Sequence, residues 1–247
     1  MVDKLFSDTE LAALYDLYYP GAKRGDFAFY LPLVMSARSV LDVGCGTGSL
    51  LRAAREQGHT GRLCGLDPAA GMLEVARERA DIEWILADLS TAPGWERPFE
   101  LAVMTGHAFQ VLLEDDELRV ALAAIAGALT DDGAFAFETR NPLVREWEEW
   151  HVRYSGEVVD STGAVVRGTC EVDTPVEGDR VSFTHTYTSD GWDAPRLSRS
   201  TLRFLDRDTL SAFLAEAGLT VTEQYGDWSR GPLTDASPEI VTVARRA

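Results

Sequence analysis

Five short apolar runs in the first 140 residues, each followed by a polar or glycine-rich stretch, predict the strands of a parallel sheet. The stretches between these runs predict helices. The clearest covers residues 115–129, where Leu118, Leu122 and Ile125 fall on one helical face. This alternation of strands and helices is typical of an α/β fold. The predicted strands cover residues 40–43, 63–66, 82–86, 99–104 and 134–137.

Both ends of the chain add elements to this pattern. Residues 7–17 have helical periodicity, and Ser7 and Glu10 have the spacing of a capping box. Asp208 is predicted to cap a helix that runs through Ala217. Residues 219–224 and 240–244 predict a final antiparallel pair of strands, which completes a seven-stranded mixed sheet.

Between residues 146 and 204 the helical periodicity fades and short alternating runs replace it. Runs at 152–154, 165–167 and 181–187, separated by turn residues, predict a β-meander inserted after the fifth strand. The meander carries no cofactor motif of its own. We therefore predict one domain over residues 1–247, with 146–204 as an inserted β-rich subdomain.

Composition narrows the classes of function. The 40 acidic residues against 23 basic ones give a formal net charge of −17, which disfavours binding to nucleic acid or to an anionic membrane. The three cysteines lack the spacing of a metal site or a disulfide framework, so no metal is expected. Because no signal sequence or long apolar span is evident, we expect a cytoplasmic protein.

The candidate chemistry begins where the first predicted strand ends. Asp42 is followed by Gly44, Cys45, Gly46 and Gly48, and a helical run begins directly afterwards. A glycine turn between a strand and a helix directs backbone N–H groups and the positive end of the helix dipole toward a ligand. Side chains in such a turn would hold the ligand away from the backbone.

The spacing of this turn separates two classes of ligand. The dinucleotide fingerprint needs a third small residue where Ser49 stands, and Asp42 would lie near an anionic pyrophosphate. An acid at this point suits a cationic ligand such as an amino-acid ammonium. The segment resembles the first motif of class I S-adenosylmethionine-dependent methyltransferases of the small-molecule type, including the amino-sugar N-methyltransferases. That resemblance implies a Rossmann-like fold and S-adenosylmethionine as the cofactor.

Polar groups follow each of the five predicted parallel strands, and three consecutive strands end in acids, at Asp42, Asp67 and Asp88. Ligands of open α/β sheets bind outside the carboxyl ends of the strands. Asp67 also lies about twenty residues beyond the glycine turn, the distance at which an acid reaches a ribose. The resemblance assigns the ribose hydroxyls to Asp67 and the adenine amino group to Asp88.

Other residues complete the predicted site. The Tyr15-Asp16-Leu17-Tyr18-Tyr19 segment resembles the lid that precedes the glycine motif in this family. The inserted strands are expected to form either a wall of the acceptor pocket or a homodimer surface. The further cofactor-binding residues that we predict are Pro68, Met72, Leu89, Thr105, Tyr19 and Arg24.

Catalysis by such a protein needs mainly alignment of the acceptor with the methyl group and exclusion of water. A base matters only if the acceptor carries a proton, and His107 is the best-placed candidate, followed by Tyr15. Two alternatives remain at this stage. One is a nicotinamide-dependent oxidoreductase, and the other is a regulator that binds S-adenosylmethionine without catalysis.

Overall fold

The computed structural model describes residues 3–20, 25–91, 94–176 and 178–246. Eleven strands are found in these ranges, in two sheets. In chain order they are β1 (Ser39–Val43), β2 (Arg62–Asp67), β3 (Glu83–Leu86), β4 (Phe99–Met104), β5 (Leu129–Arg140), β6 (Gly156–Val159), β7 (Val165–Val172), β8 (Arg180–Ser189), β9 (Arg196–Arg203), β10 (Leu219–Tyr225) and β11 (Glu239–Arg246).

The helices lie between the strands and at the start of the chain. None of them, in the part of the chain that the structure describes, has the length and apolar character needed to cross a bilayer. In chain order they are α1 (Lys4–Ser7), α2 (Thr9–Tyr18), α3 (Phe27–Ser36), α4 (Ser49–Glu56), α5 (Ala70–Ala76), α6 (Asp115–Ala128), α7 (Trp150–Arg153) and α8 (Arg207–Glu216).

The larger sheet has seven strands in the order β10-β11-β5-β4-β1-β2-β3. The pairs among β1 to β5 are parallel, whereas β11 runs antiparallel to both β5 and β10. The order reverses direction next to β1, so the carboxyl ends of β1 and β4 flank the crevice where open α/β sheets bind ligands. The predicted seven-stranded mixed sheet is confirmed.

Helices cover both faces of this sheet. One face packs against α6 and α8, and the predicted stripe of Leu118, Leu122 and Ile125 is buried there. The other face packs against α3 and α4. Each fully buried large apolar side chain contributes roughly 1.5–3 kcal/mol, so these two layers hold the strand ends in fixed positions.

The smaller sheet is the predicted meander, with its four antiparallel strands in the order β6-β7-β8-β9. Side chains alternate along β8, so that Phe183, His185 and Tyr187 are buried on one face. The prediction of a strand at 152–154 was wrong, because α7 includes Val152 and Arg153 and Tyr154 is its C-cap. A helical turn places Trp150 and Tyr154 on one face, which lets Trp150 pack against Phe183.

Both predicted helix caps were misplaced by one or two residues. Asp8, not Ser7, caps α2, because its carboxylate accepts from the N–H groups of Glu10 and Leu11. Asp206, not Asp208, caps α8 by accepting from the N–H of Thr209. An aspartate at the cap position satisfies N–H groups that have no partner within the helix.

Candidate functional site

The glycine turn between β1 and α4 has the left-handed backbone that its sequence predicts. Gly44, Gly46 and Gly48 have φ values of 68°, 56° and 74°. A Cβ on Gly48 would lie 2.2 Å from the Trp84 ring, and one on Gly44 would lie 2.9 Å from the Ala108 Cβ. A Cβ on Gly46 would meet nothing within 4 Å. The turn is therefore packed on both flanks and open at its centre, which is the arrangement that a bound ligand needs.

Asp67 joins this turn to the end of β2. Its two carboxylate oxygens accept from the N–H groups of Gly46 and Ala69, each at 2.8 Å. Burial raises the pKa of Asp67, although both hydrogen bonds oppose that shift. A carboxylate has about four lone-pair positions, so two remain for hydroxyl groups of a ligand. Asp42, on the adjacent strand, is 1% exposed.

The other predicted residues near this turn have structural contacts as well. Cys45 is buried next to Trp84, and burial raises the pKa of its thiol. Pro68 precedes α5 by two residues. Met72 packs against Ala12 of α2, so its adenine contact stays a prediction.

Asp88 follows β3 in an exposed loop. One carboxylate oxygen accepts from the N–H and hydroxyl groups of both Ser90 and Thr91, at 2.6–2.9 Å. These hydrogen bonds lower the pKa of Asp88, so it is ionised over a wide pH range. Leu89, the next residue, packs against the main core. The loop is thus fixed by its own side chains, and Asp88 stays ionised beside the sheet.

The predicted lid segment packs on the glycine turn through Asp16. One Asp16 oxygen accepts from the Thr47 hydroxyl at 2.8 Å, and the other pairs with Arg52 at 3.0 Å. The rings of Tyr15 and Tyr19 lie 5.0 Å apart on the same side of α2. The sequence motif contained Asp16, but nothing in its spacing revealed Thr47 as the partner. Arg24 lies outside the described residues.

His107 lies beyond β4, two residues after the buried Thr105. Its backbone is left-handed, with a φ of 61°, and its N–H donates to Glu138 at 2.9 Å. Its Nε2 is 2.9 Å from a carboxylate oxygen of Glu239 on β11. Burial lowers the pKa of His107 to about 3, and Arg140 contributes to the same shift. The imidazole is therefore neutral near pH 7.

Glu138, at the end of β5, was not predicted as an individual site residue, although the polar end of its strand was. It is fully buried and accepts from the Tyr30 hydroxyl as well as from the His107 backbone. Burial raises the pKa of Glu138. Tyr30 lies 108 positions away in the chain, so no local pattern could have revealed this contact.

Arg140 connects this edge of the sheet to the insertion. It pairs with Glu146 at 2.5 Å and donates to the Tyr154 hydroxyl at 3.0 Å. Glu146 also pairs with Arg153 at 2.6 Å. A cavity of about 210 Å³ lies alongside, between α2 and the start of the inserted sheet, and Tyr19, Arg153 and Tyr154 line it.

A larger cavity, of about 540 Å³, lies elsewhere, between residues 145–151 and the end of β7. It includes none of the predicted site residues. We therefore place the candidate site at the sheet edge. There the structure brings together the glycine turn, the acids at the ends of β1 and β2, His107 and the lid.

Comparison with known proteins finds similarity to methyltransferases in sequence and in fold. A family model described as a methyltransferase domain matches residues 40–133. The malonyl-[acyl-carrier protein] O-methyltransferase of Anoxybacillus flavithermus is 28% identical over 158 residues, which are 63% of this chain and 58% of that protein. The cypemycin N-terminal methyltransferase of Streptomyces sp is 28% identical over 228 residues, which are 86% of this chain and 84% of that protein.

Among solved structures, the CcbJ methyltransferase of Streptomyces caelestis has a similar fold. The TM-score is 0.78 at 23% sequence identity, and each chain is covered completely. The chain spans only 53–58% of the length of the first three curated relatives that it matches.

Proposed function

The chain has the fold of the class I S-adenosylmethionine-dependent methyltransferases, and from this premise we propose that it transfers a methyl group from S-adenosylmethionine to a small-molecule amine. The observation that carries the proposal is the open centre of the glycine turn beside Asp67. Gly46 has room for a ligand, and the Asp67 carboxylate keeps two lone-pair positions for the ribose hydroxyls.

The residues around this opening fit the rest of the cofactor. Asp42 supplies a buried carboxyl group at the end of β1, where an amino-acid ammonium would lie. Asp88 is an ionised acceptor for the adenine amino group. When bound, S-adenosylmethionine supplies a methyl group that its sulfonium already activates. The protein has to hold the acceptor in line and exclude water, which can contribute on the order of 7–11 kcal/mol.

An amine is the acceptor that the surrounding charges favour. Glu138 is buried near the end of β5, Glu239 at the start of β11, and Asp26 just before α3. These carboxyl oxygens, in a chain of net charge −17, suit a hydrogen-donating amine better than an anion, and Glu239 adds a negative charge once it is deprotonated above about pH 8. The cypemycin N-terminal methyltransferase, which matches most of this chain, is also named for an amine acceptor.

We further propose that the insertion contacts the acceptor. The cavity lined by Tyr19, Arg153 and Tyr154 lies between the lid and the inserted sheet, and Arg140 links that sheet to the end of β5. The alternative role as a homodimer surface is testable by sedimentation of the purified chain. A cytoplasmic location and the lack of nucleic-acid partners stay predictions from the sequence.

Two measurements test the function. Calorimetric titration should detect binding of S-adenosylmethionine and S-adenosylhomocysteine but not of NAD. Incubation with labelled S-adenosylmethionine and a panel of small amines should transfer label to at least one amine. Binding of NAD alone by the folded protein would contradict the proposal. Binding of S-adenosylmethionine with no turnover across amines and hydroxyl compounds would favour a non-catalytic regulator.

A further inference from the structure

The His107 and Glu239 side chains form a buried pair at the acceptor side of the site. The His107 Nε2 and a Glu239 carboxylate oxygen are 2.9 Å apart, and the two side chains are 14% and 5% exposed. The backbone of His107 is fixed by its hydrogen bond to Glu138. Because the hydrogen bond to Glu239 engages Nε2, Nδ1 is the ring nitrogen that this pair does not use.

The pair lies next to the glycine turn. Ala108, the residue after His107, packs against Gly44, and the His107 ring lies 6.3 Å from that of Trp228. The neighbouring charged and titratable groups come from three elements. They are Asp26 and Tyr30 near α3, Glu138 and Arg140 on β5, and Glu146 and Arg153 in the segment after β5.

We propose that Glu239 is the positioning residue for His107, because its carboxyl group decides which ring nitrogen carries the proton. When Glu239 is protonated, it donates to Nε2, and the ring proton is on Nδ1. When Glu239 loses its proton, the carboxylate accepts from Nε2–H, and Nδ1 becomes an unprotonated acceptor. The catalytic part of this proposal rests on the proposed function, since the acceptor is the amine named above.

The electrostatics support two forms of the pair, one below and one above about pH 8. Burial raises the pKa of Glu239 to about 8, while it lowers that of His107 to about 3. Near neutral pH both groups are therefore uncharged. Above about pH 8 the pair carries a single negative charge on Glu239.

The proton transfer takes place in the form in which Glu239 is deprotonated. The N–H bond of an ammonium acceptor breaks, and its proton forms a bond with Nδ1. The electron pair stays on the acceptor nitrogen, which becomes a nucleophile. The imidazolium that forms is paired with the Glu239 carboxylate and later loses its proton to water.

The test follows the tautomer of His107 directly and needs no acceptor. The full chain, labelled with nitrogen-15 in its four histidines, is titrated by NMR from about pH 5 to pH 9.5. The His107 signals are assigned by their loss in His107→Asn. We expect a neutral ring protonated on Nδ1 near pH 6, and a switch to Nε2 above about pH 8. A single tautomer throughout, or an imidazolium near pH 6.5, would overturn the proposal.

Two variants test whether Glu239 controls the tautomer of His107 in this titration. Glu239→Gln should hold the proton on Nδ1 at every pH, because its amide N–H₂ group donates to Nε2 permanently. Glu138→Gln is the matched control, since Glu138 contacts the His107 backbone but not its ring. The switch should persist in this control. A switch that persists in Glu239→Gln, or that is lost in both variants, would also overturn the assignment to Glu239.

Kinetics give a second readout once an amine acceptor is in hand. Glu239→Gln should lower kcat near pH 9 at least tenfold, toward the range of about 10²–10⁴ for loss of a general base. The KM for S-adenosylmethionine should stay within about threefold. An unchanged kcat would contradict the catalytic part. Complete absence of methyl transfer by the wild type would contradict the proposed function instead, while the NMR titration would still decide the tautomer.

Discussion

The two halves of the sheet edge are built differently. Around β1 to β3, the polar groups contact residues nearby in the chain: Asp67 bonds Gly46, 21 positions away, and Asp88 bonds Thr91, three positions away. Around β4, β5 and β11, the contacts are remote, as between His107 and Glu239, 132 positions apart. The first half is built from residues that are close in sequence, whereas the second half is assembled from residues that are far apart in sequence.

In the proposed reaction, the two halves have different tasks: the first binds the cofactor and the second contacts the acceptor. The local half presents the open centre of the glycine turn and the carboxyl groups of Asp42, Asp67 and Asp88, which suit a cofactor of constant structure. The remote half holds Glu138, Glu239 and His107 in a buried setting that shifts their pKa values. Strongly shifted pKa values are concentrated at functional sites. We therefore expect substitutions in the two halves to affect different properties.

The largest effect is expected at Gly48 in the local half. Gly48→Ala would place a Cβ 2.2 Å from Trp84 at a φ of 74°, and overpacking and backbone strain together should destabilise the fold by about 2–5 kcal/mol. Gly46→Ala is the matched control, because its Cβ meets nothing within 4 Å. Gly46→Ala should remain folded but bind S-adenosylmethionine more weakly. Urea unfolding measures the stability of the two variants, and calorimetry measures their binding of S-adenosylmethionine. Equal losses of stability in the two variants would be evidence against the close packing of Gly48 on Trp84.

Asp67→Ala should weaken S-adenosylmethionine binding about tenfold to a hundredfold. The substitution removes charge-assisted hydrogen bonds to the ribose, which contribute about 1.5–3 kcal/mol. Glu239→Gln, in the remote half, should change the same Kd by less than about threefold. Calorimetry on variants whose thermal unfolding shows that they are folded makes the comparison. An unchanged Kd in Asp67→Ala would remove the basis for the cofactor assignment.

The third prediction concerns the pH dependence of stability. The pKa of His107 falls from 6.5 to about 3 on folding, so its contribution to stability rises with pH between those values. The pKa of Glu239 rises from 4.5 to about 8, so its contribution falls with pH between those values. The two effects oppose each other between pH 4.5 and 6.5, and only the contribution of Glu239 changes from pH 6.5 to about 8.

Over that last interval the wild type should lose up to about 2 kcal/mol relative to Glu239→Gln, at about 1.4 kcal/mol per pH unit. Urea unfolding of both proteins at about pH 6.5 and pH 8 measures the difference. Subtracting the two curves removes the contributions of groups that both proteins share. Parallel curves would mean that Glu239 titrates normally in the folded chain.

The contrast between the two halves also explains how much of the fold and of the candidate site could be predicted from the sequence. Hydrophobic periodicity and the glycine turn predicted the seven-stranded sheet and the acids of the local half, because these signals lie within short stretches of chain. They could not pair His107 with Glu239, since neither residue has a distinctive neighbour in sequence. The insertion was predicted as a meander, but α7 was missed because Trp150 takes its helical turn from packing against Phe183 and Phe204.

The smallest effect is expected where the lid meets the glycine turn. Asp16→Asn keeps an oxygen for the Thr47 hydroxyl but removes the ion pair with Arg52. These charged side chains are 24% and 30% exposed, and partly exposed pairs contribute less than about 1 kcal/mol. The matched control is Glu216→Gln, which removes the exposed pair with Arg119 between α6 and α8.

Both variants should therefore lose similar, small amounts of stability. Only Asp16→Asn should weaken S-adenosylmethionine binding, by less than about fivefold, because only its carboxylate holds α2 against the turn. Adding salt should reduce this difference, since salt screens a partly exposed pair. If Glu216→Gln weakened binding equally, the effect would reflect net charge and not the contact of the lid. If Asp16→Asn weakened binding more than tenfold, the lid contact would be as important for cofactor binding as Asp67. It would then belong to the local half of the site.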